Sequence, residues 1–121
     1  MQQLFYFMDN KSRGIKSETI VCNYLVSLGY TILERNYRIP SGEIDIIASK
    51  DSTICAVEVK SVSYYWGMDE LENQIPPAKR IRIKKTLSLY LAQNQDKKYD
   101  LIRFDAAAVK NNEVSYFEGV F

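Results

Sequence analysis

Histidine is absent from the 121-residue chain, and cysteine occurs only twice. Without imidazole, Ser-His-Asp catalysis, Cys-His catalysis, His-based nuclease chemistry and zinc sites built on histidine are excluded. Cys22 and Cys55 fall inside periodic apolar segments and outside any C-x-x-C spacing, so we expect both to be small core residues. Proton chemistry and metal binding therefore fall to carboxylates, lysine, tyrosine or bound water.

The sequence also lacks a long apolar run. No segment approaches the ~20 residues of a membrane span, and in the opening residues the apolar cluster precedes the charges, the reverse of a secretory signal. We therefore expect a soluble, cytoplasmic protein with no membrane partner. With 46% apolar residues, the chain is long enough for one core. We divide it into an N-terminal segment, residues 1–13, and a single domain, residues 14–121.

The first half of the domain predicts one helix followed by three strands. Apolar residues recur at helical spacing over residues 14–28, and Gly29 follows as a helix stop. Three β-rich segments come next, at residues 30–39, 42–49 and 53–65, with turn sequences between them. This order predicts an antiparallel meander.

The second half predicts a long helix and two closing strands. The helix starts at the proline pair and spans residues 76–94, and strands follow at residues 101–109 and 113–121. The helix is expected to turn four apolar residues to the core: Ile81, Leu87, Tyr90 and Leu91. A single crossover helix implies a mixed central sheet flanked by helices, an α/β fold. In the last strands, Arg103 and Asp105 are expected to form an ion pair.

Charged residues two positions apart occur in two of the predicted strands. Since such residues share a strand face, Glu43 should lie with Asp45, and Glu58 with Lys60. One interpretation is the solvated face of a meander, where opposite charges on neighbouring strands attract weakly. The other interpretation is a functional site.

Glu18 favours the functional interpretation, because it projects from the apolar stripe of the first helix. A buried carboxylate without a partner is costly and normally has a cation or a metal beside it. Snorkelling of Glu18 to the edge, or a structural pair with Lys60, remains an alternative. Three acids around one lysine suit a metal-dependent hydrolase, since Mg²⁺ takes oxygen ligands and needs no histidine.

Two short segments, GEIDIIA and AVEVK, resemble the PD-(D/E)xK nuclease signature of the restriction-endonuclease-like superfamily. From Gly14 onward the chain is further similar to the YraN-like bacterial family, which is related to archaeal Holliday-junction resolvases. The segments that carry this similarity are RGIKSETIVCNYLVSLGYTILERNYRIPSGEIDIIA, VEVKS, WG, IPPAKRIRI and RFDAAAV.

The resemblance implies a restriction-endonuclease-like αβββαβ core with a catalytic metal, Mg²⁺ or Mn²⁺. Its metal ligands would be Glu18, Asp45 and Glu58, and its catalytic residues Asp45, Glu58 and Lys60. Two positions depart from the family pattern: Ser17 stands where glycine is usual, and Val62 where arginine is usual. Neither change removes a metal ligand, but the missing arginine would remove a phosphate contact.

Basic residues are concentrated in KRIRIKK and near the N-terminus. We predict nucleic-acid contacts from Lys79, Arg80 and Arg82 in the first cluster, and from Arg13 and Lys16 in the second. Lys79 also matches a lysine that the YraN-like family carries at this point. The alternative is a solvated helix face whose apolar positions point at the sheet.

Three aromatic residues, Tyr64, Tyr65 and Trp66, follow the third strand on a predicted loop. Aromatic rings of this kind stack on unpaired bases, so we assign them to nucleic-acid binding. Sealing of the core and dimerisation are the other interpretations.

These features predict a Mg²⁺- or Mn²⁺-dependent endonuclease that hydrolyses phosphodiesters in structured or branched DNA, as in DNA repair and recombination. Its partner would be DNA with branched or single-stranded regions, and a homodimer is left open. The alternative is a nucleic-acid-binding or protein-interaction module on the same fold, with weak or no catalysis.

Overall fold

A computed structural model describes residues 10–64 and 67–121 of the chain. The helices and strands are, in chain order, α1 (Asn10–Ser27), β1 (Thr31–Ile39), β2 (Gly42–Lys50), β3 (Thr53–Ser61), α2 (Met68–Gln74), α3 (Pro77–Gln93), β4 (Leu101–Lys110) and β5 (Glu113–Phe117). The predicted α/β fold with an αβββαβ core is confirmed. Within the described ranges, no helix is long and apolar enough to cross a membrane.

The five strands lie in the sheet in their chain order. β1, β2 and β3 form the predicted antiparallel meander. β4 runs parallel to β3, because α2 and α3 carry the chain back along the sheet between them, and β5 pairs antiparallel with β4. The return along α3 brings the first turn of that helix near the end of β3.

Two apolar cores lie on the opposite faces of the sheet. α1 covers one face, and its core contains Val21, Cys22, Leu25, Ile46, Ala48, Cys55, Val57 and Ala107. α2 and α3 cover the other face, and its core contains Ile44, Ile47, Ile54, Ala56, Leu71, Ile75, Ile83, Leu87, Tyr90 and Ala106. Both cysteines are buried and free, as predicted.

α1 is longer than predicted at its start and ends where predicted. It begins at Asn10 rather than Gly14, because no helix breaker precedes the glycine, and glycine inside a helix costs only ~1 kcal/mol relative to alanine. At the other end Gly29 has φ of 94°, and the Tyr30 N–H donates to the Leu25 carbonyl at 3.0 Å. This Schellman arrangement satisfies the last carbonyls of the helix.

Two strands are shorter than predicted. β3 ends at Ser61 rather than at residue 65, because its pairing with β4 runs only as far as Val109. β5 ends at Phe117 rather than at the end of the chain, because Gly119 adopts φ of 59° and turns the backbone away. In both cases the strand stops where its partner stops or the backbone turns.

Helix α2 was not predicted, and the buried face of α3 was predicted partly wrongly. The buried residues of α3 are Ile83, Thr86, Leu87 and Tyr90. Ile81 is 67% exposed, since a residue two positions before Ile83 points to the other side of the helix. Leu87 and Tyr90 are buried as expected, and Leu91 is partly buried.

α3 packs unusually close to the start of β2 at Gly42. A Cβ atom at this position would lie 2.5 Å from Thr86 Oγ1, which is too short for a real contact. Thr86 is fully buried and donates its hydroxyl to the Arg82 carbonyl at 2.8 Å. Glycine therefore allows the close approach that holds the first half of α3 against the sheet.

Candidate functional site

Asp45 lies where the alternation of β2 is interrupted. Ile44 packs in the core under α3, whereas Ile46 packs in the core under α1. A regular strand would place these two residues on one face, so the predicted regular alternation of β2 is wrong at this point. Pairing with β3 ends at Ile46 and Val57. Beyond that pair, Asp45 Oδ2 accepts a hydrogen bond from the Val59 N–H at 2.8 Å. The Asp45 side chain thus takes the place of the backbone carbonyl of β2 that would accept this N–H in a regular sheet.

Glu58 lies beside Asp45 and pairs with a lysine from α3. The Glu58 side chain is 8% exposed, and its Oε2 atom lies 2.8 Å from Lys79 Nζ. Lys79 belongs to the first turn of α3, and the close packing at Gly42 holds this helix over the sheet. Lys79, predicted to contact a phosphate, is therefore the ion-pair partner of a carboxylate in this structure.

The two carboxylates hold their protons differently. Burial, followed by the hydrogen bond and charge of Glu58, raises the pKa of Asp45 to about 9. Burial also penalises the charge of Glu58, but hydrogen bonds from Asp45 and Lys79 outweigh it and bring the pKa of Glu58 below its ordinary value. The pair as a whole therefore keeps one proton to higher pH than separate carboxylates would. A pair of acids that competes for one proton in this way is a candidate functional site.

Lys60 completes the cluster from the same strand as Glu58. Burial and the adjacent Lys79 lower the pKa of Lys60, although Glu58 and Asp45 act in the opposite direction. For Lys79, burial is outweighed by the hydrogen bond to Glu58, so its pKa is raised. Two carboxylates and two amines thus meet at one place, and Lys60 is the amine that gives up its proton more readily.

Glu18 lies at the edge of the cluster and is held by β1. It is 8% exposed, and its Oε2 atom accepts a hydrogen bond from Asn36 Nδ2 at 2.9 Å. Burial raises the pKa of Glu18, against the hydrogen bond of Asn36. The charge of Glu18 in turn adds to the upward shift of the Asp45 pKa. Glu18 is therefore close enough to affect Asp45, but its hydrogen bond is made to Asn36 rather than to Lys60.

The donor atoms of the cluster fit a hard divalent cation. Asp45 and Glu58 offer carboxylate oxygens, and Glu58 already holds one cation, the ammonium group of Lys79. In the part of the chain that the structure describes, no three acidic or cysteine side chains are grouped to hold a metal, so Glu18 does not complete such a set. Mg²⁺ commonly takes one or two carboxylates and fills its other positions with water and phosphate oxygens. Asp45 and Glu58 would hold it, and Glu18 as a third ligand stays a prediction.

The other basic residues predicted to bind nucleic acid differ in their surroundings. Arg82 is exposed on α3, and Lys16 is partly exposed on α1. Arg80 donates its Nε–H to the Ile75 carbonyl at 2.6 Å, and its guanidinium lies 6.0 Å from the centroid of the Phe121 ring. Arg80 therefore connects α3 to the preceding turn and to the end of the chain, whereas Arg82 is available to a ligand.

Of the three aromatic residues predicted to stack on bases, Tyr64 is described. Its side chain is half exposed, and its hydroxyl donates to Glu70 Oε1 on α2 at 2.9 Å. Tyr65 and Trp66 lie outside the described residues, as does the side chain of Arg13. The structure thus places one aromatic ring after β3 and leaves the other two assignments as predictions.

Two contacts around the cluster were missed by the sequence analysis. The Ser17 hydroxyl forms a hydrogen bond with the Ser61 hydroxyl, which ties α1 to β3 next to Lys60. The serines carry no signal, because their contact depends on how α1 docks. Asn36 carried a weak signal, since asparagine is rare inside strands and tolerates left-handed backbone.

Another buried carboxylate, Asp105, belongs to a separate network on β4. It is fully buried and accepts hydrogen bonds from Arg103 Nε at 2.9 Å, from the Tyr116 hydroxyl at 2.6 Å and from the Gly119 N–H at 2.8 Å. Arg103 also donates to the Tyr30 hydroxyl at 2.6 Å. The predicted ion pair of Arg103 and Asp105 is confirmed, and the network joins β4 to β5 and to the chain end.

Comparison with known proteins gives one consistent result. Residues 17–109 match the group described as "Uncharacterised protein family UPF0102". A UPF0102 protein of Thermodesulfovibrio yellowstonii is 38% identical over 109 residues, covering 89% of this chain and 94% of the relative. One from a Sulfurihydrogenibium species is 37% identical, with coverage of 94% and 97%. One from Helicobacter pylori is 38% identical, with coverage of 94% and 96%. These names state a family and no activity.

Proposed function

This chain belongs to the UPF0102 family, the YraN-like family of the sequence analysis, and from that premise we propose that it is a metal-dependent DNA endonuclease acting on structured or branched DNA. The observation that carries the proposal is the pair of partly buried Asp45 and buried Glu58, with two lysines beside it. Contacting carboxylates removed from water are unfavourable until a cation joins them. Such a pair suits a protein that binds a divalent cation together with a phosphate group of its substrate.

The residues of the cluster would have different roles in hydrolysis. Asp45 and Glu58 would hold Mg²⁺ or Mn²⁺, which neutralises phosphate charge and lowers the pKa of bound water. The Val59 N–H keeps the Asp45 carboxylate in orientation. Lys60, whose pKa is lowered by burial and by Lys79, would hydrogen-bond the attacking water and the charge that develops on the phosphoryl oxygens.

Lys79 would change partners during binding. It now pairs with Glu58 at 2.8 Å, and a divalent cation on the carboxylates would compete for the same oxygen. The released ammonium group lies in the first turn of α3, where backbone N–H groups also favour an anion. We assign Lys79 to a phosphate next to the reacting one, with exposed Arg82 beside it on the helix.

The choice of branched DNA rests on the resemblance to junction resolvases. A four-way junction needs paired cuts, so a homodimer is part of this proposal, as is a cytoplasmic location. Tyr64 would stack on an unpaired base near the end of β3. DNA with branches or single-stranded regions is therefore the substrate to test first.

The charge balance of the cluster favours one second candidate, a nucleic-acid-binding or protein-interaction module without efficient catalysis. Two ammonium groups already face two carboxylates, so the cluster is tolerable without a divalent cation. In that case Lys79 would stay on Glu58, and the exposed basic residues alone would contact DNA.

Cleavage assays with labelled four-way junctions, flaps, single strands and duplex, in Mg²⁺ or Mn²⁺, separate the two candidates. We expect wild type to cleave branched DNA, and Asp45→Asn to lose both cleavage and Mn²⁺ affinity in calorimetric titration. Glu43→Gln is the matched control, because Glu43 lies on the same strand but is 62% exposed and pairs with Arg38. Tight DNA binding without cleavage of any substrate would favour the binding module.

Lys60→Ala tests the mechanism separately from metal binding. Removing this amine takes a positive charge from beside the carboxylates, so Mn²⁺ affinity should persist or rise. Cleavage should nonetheless fall by orders of magnitude, because water orientation and charge stabilisation are lost together. Full activity of Lys60→Ala, or activity of wild type in EDTA, would refute this mechanism.

A further inference from the structure

β1 and β2 are irregular at the same level of the sheet. Asn36 lies across from Asp45, between the pairs that Arg35 and Tyr37 make with β2. Arg35 reaches α1, where its Nη2 donates to Thr19 Oγ1 at 2.9 Å, whereas Tyr37 packs under α3. Residues two apart thus turn to opposite faces in β1, as Ile44 and Ile46 do in β2. The two strands share one matched irregularity, and its two central side chains are polar.

The backbone of Asn36 departs from strand geometry. Four described non-glycine residues have positive φ, and three of them, Asp51, Asn111 and Asn112, lie in turns between strands, where this conformation is normal. Asn36 has φ of 52° and lies inside β1. A left-handed residue within a strand is strained and persists where its surroundings require it. Strain of this kind beside a cluster of acids suggests a role for the residue.

The contact that Asn36 makes suggests the role. Its Nδ2 atom donates to Glu18 Oε2 at 2.9 Å, and Glu18 is nearly buried on α1. Asp45 lies directly across from Asn36, between the same two strand pairs, so the residue that holds Glu18 is at the same level of the sheet as the acid pair. A regular strand conformation at residue 36 would direct the amide elsewhere. The irregularity therefore aims one polar side chain at Glu18 and the other at Glu58.

We infer that Asn36 is a positioning residue, whose left-handed backbone turns its amide onto Glu18 and holds that carboxylate at the edge of the Asp45–Glu58 pair, where it strengthens cation binding. This inference rests on the proposed function. The position of Glu18 then depends on a residue of β1. Loss of the Asn36 amide should therefore lower the affinity for the cation, although Asn36 itself holds no cation. Partners that orient metal-site carboxylates commonly change metal affinity by about 10-fold or more.

Two substitutions separate the backbone of Asn36 from its amide. Asn36→Gly keeps access to positive φ and removes only the amide, whereas Asn36→Ala removes the amide and also strains the backbone. Asn111→Gly is the matched control, because Asn111 has φ of 49° in the turn after β4. Thermal unfolding of the metal-free proteins should then show a lower Tm for Asn36→Ala than for Asn36→Gly.

Calorimetric titration with Mn²⁺ alone provides the main readout. We expect Asn36→Gly and Glu18→Gln each to weaken Mn²⁺ binding by about 10-fold, and the double variant to be no weaker than either. Asn111→Gly should bind Mn²⁺ as wild type does. This pattern supports the inference without any measurement of cleavage.

Different results would overturn the inference and the proposed function. Unchanged affinity in Asn36→Gly, with affinity lost in Asp45→Asn, would refute the positioning role and leave the proposed function intact. Additive losses in the double variant would also refute it, since Asn36 would then act independently of Glu18. If wild type shows no Mn²⁺ binding that depends on Asp45, the proposed function fails and takes this inference with it.

Discussion

The protein buries carboxylates in two places and surrounds them in opposite ways. Asp105 receives hydrogen bonds from a guanidinium group, a phenol and a backbone N–H. Asp45 receives one from the Val59 backbone and faces a second acid, Glu58, which together with burial raises its pKa to about 9. Donors surround Asp105, whereas Asp45 and Glu58 share a proton.

This difference shows that burial alone does not mark a functional carboxylate. The hydrogen bond to Asp105 raises the pKa of Arg103, so the guanidinium group keeps its charge. At the other centre, two acids face each other, and under the proposed function a cation would stabilise them better than they stabilise each other. The network of Asp105 stabilises the fold, and the pair of Asp45 and Glu58 costs stability that ligand binding would recover.

The largest effect on stability is expected at the Asp105 network. Asp105→Ala should lower the free energy of unfolding by about 3–5 kcal/mol, because it leaves the Arg103 charge, the Tyr116 hydroxyl and the Gly119 N–H without their acceptor. Urea denaturation measures the loss. Asp96→Ala, at an exposed position, is the control. A loss below about 1 kcal/mol would remove the contrast between the two centres.

At the candidate site, a substitution is expected to raise the free energy of unfolding rather than lower it. Asp45→Asn should raise the free energy of unfolding of the metal-free protein by about 1–2 kcal/mol at pH 7, because an amide beside Glu58 needs no proton. Its oxygen can still accept the Val59 N–H. The same urea titration, in EDTA, provides the measurement. If Asp45→Asn destabilises as Asp105→Ala does, Asp45 is a structural residue.

The candidate site should also make the free energy of unfolding depend on pH. The pKa of Asp45 is about 9 in the folded protein and about 3.9 in an unfolded chain, so the folded state holds an extra proton between these values. Its contribution is fully present below about pH 4 and is lost as the pH rises through about 9, with a slope of at most ~1.4 kcal/mol per unit.

Unfolding at several pH values in EDTA checks this slope. The chain has no histidine, so few other groups titrate between about pH 5 and 8. The lowered pKa of Glu58 affects stability only at more acidic pH. Asp45→Asn should flatten the dependence. An equal slope in wild type and Asp45→Asn would contradict the shared proton.

The smallest effect is expected for Lys79→Ala. Losing this cation from Glu58 should raise Mn²⁺ affinity by a few-fold, while the slope of log affinity for DNA against log salt should fall by about one unit. Arg82→Ala should reduce the salt slope equally and leave Mn²⁺ affinity unchanged, since Arg82 is exposed. Equal Mn²⁺ affinity in wild type and Lys79→Ala would mean that Lys79 does not compete with the cation.

The sequence was sufficient for the fold and for the proximity of Asp45, Glu58 and Lys60, whereas the pairing of Lys79 with Glu58 was not predicted. Turn sequences, Gly29 and the proline pair mark the elements, and the placement of Asp45 and Glu58 on neighbouring strands follows from the meander. The irregularity at Asn36 and Asp45 was not predictable, because it depends on partners from α1 and β3. The ends of β3 and the exposure of Ile81 also depend on neighbours that periodicity does not describe.

The chain order of the strands has a consequence for folding kinetics. β1, β2 and β3 pair through short turns, whereas β4 must wait for α2 and α3 to complete the crossover. Asp45 and Glu58 therefore meet early, before Lys79 arrives with α3. The cost of bringing two acids together around one proton should be felt in the transition state, so Asp45→Asn should speed folding more than it slows unfolding in stopped-flow chevron measurements. The acids of the site would then limit how fast the sheet assembles.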